Sequence, residues 1–462
     1  MKTKRKLELI NPATGKQIRK LSYHCLEEIE SRLASAGKVQ QRWKHTTLAH
    51  RIKVVEGAMD YFRKNADTIA QDITLQMGKP ISQSQNEVQG MLYRAKSMCE
   101  FAEDALKDIL LPEVRGFKRF IRREPLGVVL DIAAWNYPLL IAINVIVPAV
   151  LSGNAVAIKH SSLTPLCALH FENAFKISDA PEGLVLAMIL DHLTTEIIIE
   201  SGSIDHVAFT GSVSGGRNIN QSAKNTFTGV GLELGGKDPA YVRKDADLES
   251  AIPGIMDGVF YNGGQSCCAV ERIYVHHTLL ESFVEGAIKL LNKLNIGDPL
   301  NVATDIGPLA QSSGVFTVHT QLEDAKQKGA NITYYPRSIP KSENFILPAI
   351  LTNVNHSMDI MMKETFGPIV GIMGVKSDEE ATALMNDSQY GLTASVWTND
   401  PEKAIEIGSH IETGTFFMNR CDFLDPSLPW VGVKDSGRGC TLSILGIQQL
   451  TRPKSYHLKL AD

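Results

Sequence analysis

The chain has 462 residues, a hydrophobic fraction of 44% and a charged fraction of 21%, enough for a large core and two or three domains. A formal net charge of -4 points to no nucleic-acid partner and no anionic membrane surface. The seven cysteines lack zinc-type spacing, so no metal site is expected. Their odd number, with no secretory signal, sets a reduced, cytoplasmic environment as the expectation. Cys267 and Cys268 are adjacent, which disfavours a strain-free disulfide between them. Lys2, Lys4, Arg5 and Lys6 read as a solvated tail, because no apolar stretch follows them.

Along the chain, Ile29, Leu33, Val39 and Trp43, then Ile52, Val55, Met59 and Phe62, recur at helical spacing and predict helices between Leu26 and Met77. Gly78-Lys79-Pro80 stops that run. Asn86 to Leu111 predicts another helix, ended by Pro112, and Phe117 to Arg123 alternates apolar with basic residues as a strand or hairpin does. Leu126 to Ile158 is the most apolar region. Asp131, Asn136, Pro138, Asn144, Pro148 and Asn154 interrupt it too often for a membrane span of about 20 apolar residues. It predicts a buried strand (Gly127–Asp131), a turn, a helix (Leu139–Leu151) and a second strand (Ala155–Lys159). Pro165 to Phe175 is helical, and Ile204 to Thr210 is a strand running into a glycine turn. A second series begins near Glu233, with strands at Ala240–Val242, Arg272–Val275, Ile369–Met373 and Ala394–Trp397. Strands alternating with helices imply a doubly wound α/β architecture around mainly parallel sheet. No internal repeat or low-complexity segment is present.

The chemistry concentrates in a few turns. Asn262-Gly263-Gly264-Gln265-Ser266-Cys267-Cys268-Ala269 sets a cysteine behind residues that let backbone and ligand approach closely. A thiol becomes a nucleophile where donors or nearby charge lower its pKa, although a cysteine such as Cys267 taken alone is more often a small buried hydrophobe. Glu233, in the turn Glu233-Leu234-Gly235-Gly236-Lys237, is placed to move a proton to or from a water beside such a thiol. Trp135-Asn136-Tyr137-Pro138 follows a buried strand, where open α/β sheets bind ligands. The Asn136 amide suits a developing oxyanion, and an Asx turn before proline accounts for the same residues. Gly211 and Ser212 open a helix whose backbone donors suit a pyrophosphate. GxGxxG is absent there, so a plain glycine turn stays open. Lys159 ends a strand, facing ribose hydroxyls or solvent. Lys363-Glu364-Thr365-Phe366-Gly367-Pro368 joins a carboxylate to an aromatic face suited to a ribose and a nicotinamide, or is a helix-end turn. The histidines show no partner pattern.

Taken in order, Trp135–Pro138, Lys159, Phe209–Ser212, Glu233–Lys237, Gln265–Ala269, Glu364–Pro368 and Pro429–Gly439 resemble the NAD(P)-dependent aldehyde dehydrogenase superfamily from about Asn11 onward. The resemblance implies that Cys267 attacks the aldehyde carbon while the Asn136 amide and the Cys267 backbone N–H hold the oxyanion. Hydride transfer then leaves a thioester, and Glu233 activates the water that cleaves it. Lys159 and Glu364 match ribose-binding positions, Phe366 packs near the nicotinamide, Gly211 with Ser212 lies under the pyrophosphate, and Trp135 is a further cofactor-binding position. A substrate tunnel lined by Tyr137, Ile141, Asn144, Ser266, Cys268, Arg420, Asp422, Phe423 and Trp430 is implied, with Cys268 lining rather than reacting. Arg420 suggests a carboxylate-bearing aldehyde such as succinate semialdehyde.

Three departures from the family pattern stand out. Ser162 occupies a position where many NAD-preferring members carry a glutamate, which admits NADP as well as NAD. Val145 stands where many hydrolytic members have a lysine. Pro429-Trp430-Val431-Gly432 replaces the usual Pro-Phe-Gly-Gly. The implied architecture is a doubly wound parallel-sheet cofactor domain (1–112 and 126–232), an α/β catalytic domain (233–430) and a small β oligomerisation arm with bridging segments (113–125 and 431–462). The arm uses the Phe117–Arg123 region and the last strand, Lys454–Leu460, so homodimers or homotetramers are expected. Two alternatives remain open: a CoA-acylating enzyme, against which Glu233 argues, and a catalytically silent structural or binding relative.

Overall fold

A computed structural model describes residues 5–461. The chain opens with an antiparallel hairpin, β1 (Lys6–Ile10) and β2 (Gln17–Ser22). Four helices follow: α1 (Leu26–Trp43), α2 (Leu48–Lys64), α3 (Ala66–Met77) and α4 (Ile81–Leu106). Then come the short β3 (Ile109–Leu110) and β4 (Phe117–Pro125). The hairpin revises the expectation of a solvated basic tail: Lys6 pairs with Ser22, and Arg5 reaches Asp191 at 2.7 Å. Lys2 and Lys4 lie outside the described residues.

The next stretch is β5 (Val128–Ala133), α5 (Pro138–Ser152), β6 (Ala155–His160), α6 (Pro165–Ile177), β7 (Val185–Ala187), α7 (His192–Glu200), β8 (His206–Thr210), α8 (Val213–Ser222) and β9 (Gly229–Glu233). The apolar region from Leu126 is therefore strand, helix and strand, and no helix among the described residues is long and apolar enough to cross a membrane. A second series runs β10 (Asp238–Val242), α9 (Leu248–Phe260), β11 (Val270–His276), α10 (Leu280–Leu291), α11 (Ser312–Gln327), β12 (Asn331–Tyr334), β13 (Ala349–Thr352), α12 (Asp359–Met362), β14 (Ile369–Val375), α13 (Asp378–Asn386), β15 (Tyr390–Gly391), β16 (Thr393–Trp397), α14 (Pro401–Ser409) and β17 (Thr415–Met418). The chain closes with β18 (Val433–Lys434), β19 (Gly437–Arg438), α15 (Ser443–Gln449) and β20 (Thr451–Lys459).

The first large sheet has the order β19-β9-β8-β5-β6-β7, parallel except for β19. The chain leaves β5 toward β6 on one side and returns to β8 on the other. The carboxyl end of β5 is thus the topological switch point, where ligands bind in such sheets. The second sheet has the order β12-β13-β14-β11-β10-β16-β17, with only β12 antiparallel. Its strands feed two cores in alternation: Tyr241 and Tyr274 enter one, while Ala240, Val242, Ile273 and Val275 enter the other. That two-residue period with both faces covered accounts for the near-continuous apolar runs of β10 and β11. β20, β4 and β3 form a separate small sheet. In the segment between β17 and β20, β18 pairs with β15 as a separate two-stranded sheet and β19 adds an antiparallel edge to β9 of the first large sheet.

Candidate active site

Residues from both large sheets converge at the turn between α9 and β11. Asn262, Gly263 and Gly264 all take left-handed conformations, with φ of 54°, 63° and 72°. Asparagine and glycine tolerate that region, and a Cβ on Gly264 would stand 2.4 Å from the Gly367 carbonyl oxygen. Gln265 locks the turn: its Nε2 donates to the Asn262 carbonyl at 2.9 Å and its Oε1 accepts from the Ala310 N–H at 2.9 Å. Asn136, just beyond the end of β5, donates from Nδ2 to the Gln265 carbonyl at 3.1 Å, and Asn262 Nδ2 returns a bond to the Asn136 carbonyl at 3.1 Å. The amide of Asn136 is thereby fastened to the loop that carries Cys267.

Glu233 ends β9 at the same level. Its Oε1 accepts from the Thr441 hydroxyl and its Oε2 from Thr210 Oγ1 at 3.5 Å. Burial raises its pKa above the ordinary glutamate value. The two glycines after it permit contacts that no side chain would. A Cβ on Gly235 would lie 2.2 Å from Glu364 Oε1, and one on Gly236 would lie 2.6 Å from the Cys267 carbonyl oxygen.

Cys267, half-buried, and Glu233 line one cavity of about 300 Å³. Tyr137, Ile141, Asn144, Ser266, Cys268, Asp422, Phe423 and Trp430 also line it. The Cys268 thiol donates to Asp422 Oδ1 at 2.8 Å, as does Ser266 Oγ at 3.1 Å. The Cys268 thiol is pushed well above its usual range, by its contact with the Cys267 sulfur and then by burial. Burial also lifts the Asp422 carboxyl to about 7.

Arg420 requires a correction, because it does not line the cavity. After β17 the backbone turns at Asn419 (φ 52°) and again at Asp422 (φ 46°), which sends the Asp422 carboxyl inward and leaves Arg420 exposed. Its guanidinium lies 3.3 Å above the centre of the Phe423 ring. One face of α4, including Glu87, Gly90, Tyr93 and Arg94, completes the cavity wall. The motif reading passed over that face. Its signal was a pair of charged residues, Glu87 and Arg94, on the stripe that also carries Val88, Met91 and Ala95, all buried.

The switch point of the first sheet opens on the other side of Cys267. Trp135 and Phe366 meet edge to face at 5.5 Å and 74°, with Phe366 in a left-handed conformation (φ 53°). Glu364 Oε1 accepts from the Gly236 N–H at 3.2 Å, and burial lifts its carboxyl to about 8. Lys159, 4% exposed near the end of β6, has no hydrogen-bond or ion-pair partner among the described residues, and burial depresses it to about 8. Ser212 caps α8, accepting from the Gly215 N–H at 3.1 Å, and Gly211 precedes it. Ser162 is exposed on the loop after β6. An unpaired buried ammonium, a helix N-terminus behind a glycine and an aromatic wall suit a dinucleotide with its phosphates at α8.

The family model for the aldehyde dehydrogenase family matches residues 1–456. The chain is 35% identical over 453 residues to an aldehyde dehydrogenase of Paenarthrobacter nicotinovorans, covering 96% of this chain and 98% of that one. It is 32% identical over 449 residues to a probable succinate-semialdehyde dehydrogenase (NADP(+)) of Synechocystis sp., again covering 96% and 98%. Among solved structures, an aldehyde dehydrogenase from Brucella melitensis biovar abortus superposes with a TM-score of 0.95 at 28% identity, over 99% of this chain and 95% of that one. Betaine aldehyde dehydrogenase from Staphylococcus aureus in complex with NAD+ superposes at 0.93 and 29% identity, over 98% and 92%. With the cysteine turn and the Glu233 carboxylate on one cavity, this chain belongs to the aldehyde dehydrogenase family.

Proposed function

We propose that the chain oxidises an aldehyde to its carboxylic acid through sulfur, with NAD or NADP as the electron acceptor. The Cys267 thiolate adds to the aldehyde carbon and forms a C–S bond. The carbonyl oxygen becomes an oxyanion that accepts hydrogen bonds from the Asn136 amide and the Cys267 backbone N–H. When bound, the nicotinamide supplies the acceptor for the hydride that leaves this carbon. The thioester that remains is cleaved by a water whose proton goes to Glu233, and the C–S bond breaks to release the carboxylic acid and the thiolate. Lys159 and Glu364 are the residues to hold ribose hydroxyls, Gly211 and Ser212 the pyrophosphate, and Trp135 with Phe366 the nicotinamide face. Ser162, exposed and uncharged, leaves room for a 2′-phosphate.

The observation that carries this reading is the Asn136-to-Gln265 hydrogen bond, which fixes an amide donor to the loop that carries Cys267, while Cys267 and Glu233 line one cavity. A cofactor unit (1–112 and 126–232), a catalytic unit (233–430) and a β arm that joins copies of the chain into dimers or tetramers are part of the same proposal. The two parallel sheets and the separate β20-β4-β3 ribbon support it. Relatives named for succinate semialdehyde support an ω-carboxylated aldehyde as substrate. Glu233, a water-activating base, speaks against the CoA-acylating alternative. Iodoacetamide labelling tests the scheme: one equivalent at Cys267, blocked by cofactor plus aldehyde, is expected. Full turnover by Cys267→Ala would overturn it.

A further inference from the structure

We infer that Arg94 selects aldehydes bearing a carboxylate at the end remote from the carbonyl, holding that carboxylate with the edge of its guanidinium that the helix contacts leave unbonded. This rests on the aldehyde-oxidation reading above and names the substrate class of the same cavity. Arg94 is 7% exposed and sits on the face of α4 that lines the cavity with Cys267 and Glu233. Only its Nη1 is engaged, donating to Asn144 Oδ1 at 3.0 Å and to the Leu140 carbonyl at 3.1 Å. No carboxylate lies within ion-pair distance of it among the described residues.

Four other buried cations are treated differently, while Lys159 in the cofactor cleft is likewise left open. Arg51 and Arg272 each engage all three guanidinium nitrogens. Lys79 pairs with Glu87, and Lys237 with Glu271 at 2.7 Å. The remaining donors of Arg94 are not among the buried atoms without a partner, so they open to the cavity, where a guanidinium meets a carboxylate with two parallel bonds. Two carboxylates act on it through space, Glu233 and Glu87, and neither lies within ion-pair distance: Glu87 is paired with Lys79, and Glu233 accepts from Thr441 and Thr210. Arg420, exposed above the Phe423 ring, is not available for the task.

The test compares succinate semialdehyde with butanal, which has the same carbon count and no carboxylate, on the full-length enzyme and its Arg94→Gln, Arg94→Lys and Asn144→Asp variants. The ratio of kcat/KM between the two substrates is expected to fall about 100-fold in Arg94→Gln, mainly through KM, and partly in Arg94→Lys. Asn144→Asp supplies an internal carboxylate to Arg94 and is expected to lower the ratio while retaining the cation. Glutarate titrated calorimetrically into Cys267→Ala protein is expected to bind about 100-fold more weakly when Arg94→Gln is added. Equal losses on both aldehydes would make Arg94 only a tie between α4 and α5 and would overturn the inference. So would glutarate binding that ignores Arg94, or no glutarate binding at all. An enzyme that oxidised no aldehyde would sink the functional reading, and the glutarate titration would still decide the role of Arg94.

Discussion

At the residue scale, the cavity sets two carboxyls in different circumstances. Glu233 accepts from two threonine hydroxyls, and Asp422 from a serine and a thiol, yet burial raises both. A base must be ionised to take a proton, so a raised Glu233 moves the acid limb of kcat to a pH above the ordinary glutamate range. Turnover should rise with pH through that shifted value. Glu233→Gln should keep the first-turnover burst of reduced cofactor while steady-state turnover drops about 100-fold or more, and the acid limb should vanish. A variant with the parent's pH profile would remove Glu233 from the water step. Asn136→Ala should slow the burst itself by about 100- to 1,000-fold, as loss of one oxyanion donor does. Ser162→Glu places a like charge beside a 2′-phosphate and should cut kcat/KM for NADP at least about tenfold more than for NAD. Steady-state kinetics with both cofactors would show it.

At the element scale, β5, β6, β8, β10, β11, β14 and β16, with helices α5 and α6, were legible from their apolar patterns, whereas β7, β9, β12, β13 and β17, short or half-exposed, were not. The β1–β2 hairpin was not, since Leu9 is its only buried residue and a strand with one buried side chain leaves no pattern. The nucleophile turn was readable as flexible, whereas its three consecutive left-handed residues were not. Gly264→Ala adds both backbone strain and a clash with the Gly367 carbonyl, and should lower the melting temperature by several degrees in calorimetry. The buried Lys79–Glu87 pair anchors α5 at the cavity, because Glu87 Oε1 accepts from the Leu139 N–H at 2.8 Å. Lys79→Met leaves that carboxylate without its cation and should cost about 3–5 kcal/mol in denaturant unfolding. A loss under about 1 kcal/mol would mean that the helix N-terminus alone compensates Glu87.

At the scale of the whole molecule, the β4–β20 ribbon stands apart from both large sheets. β20 is mostly exposed, and Phe120 stacks on Tyr456 at 4.4 Å with the rings only 7° from parallel. Exposed ribbon edges seek partners. A chain ending at Leu450 should sediment as a smaller species than the full chain while keeping its far-ultraviolet dichroism. Unchanged mass would place the contact between copies elsewhere.

The order of motifs and much of the alternation of strands and helices follow from the sequence by itself, because each rests on local spacing; Cys267, Glu233 and Asn136 stood out through the resemblance those motifs carry. Which charged residues face the cavity was decided only in three dimensions. Left-handed residues at Asn419 and Asp422 keep Asp422 at the cavity and leave Arg420 outside it, and helical packing brings Arg94 against Asn144 from 50 positions away. Side-chain direction at a loop and contact between distant helices are properties of the packed chain, which no local pattern encodes.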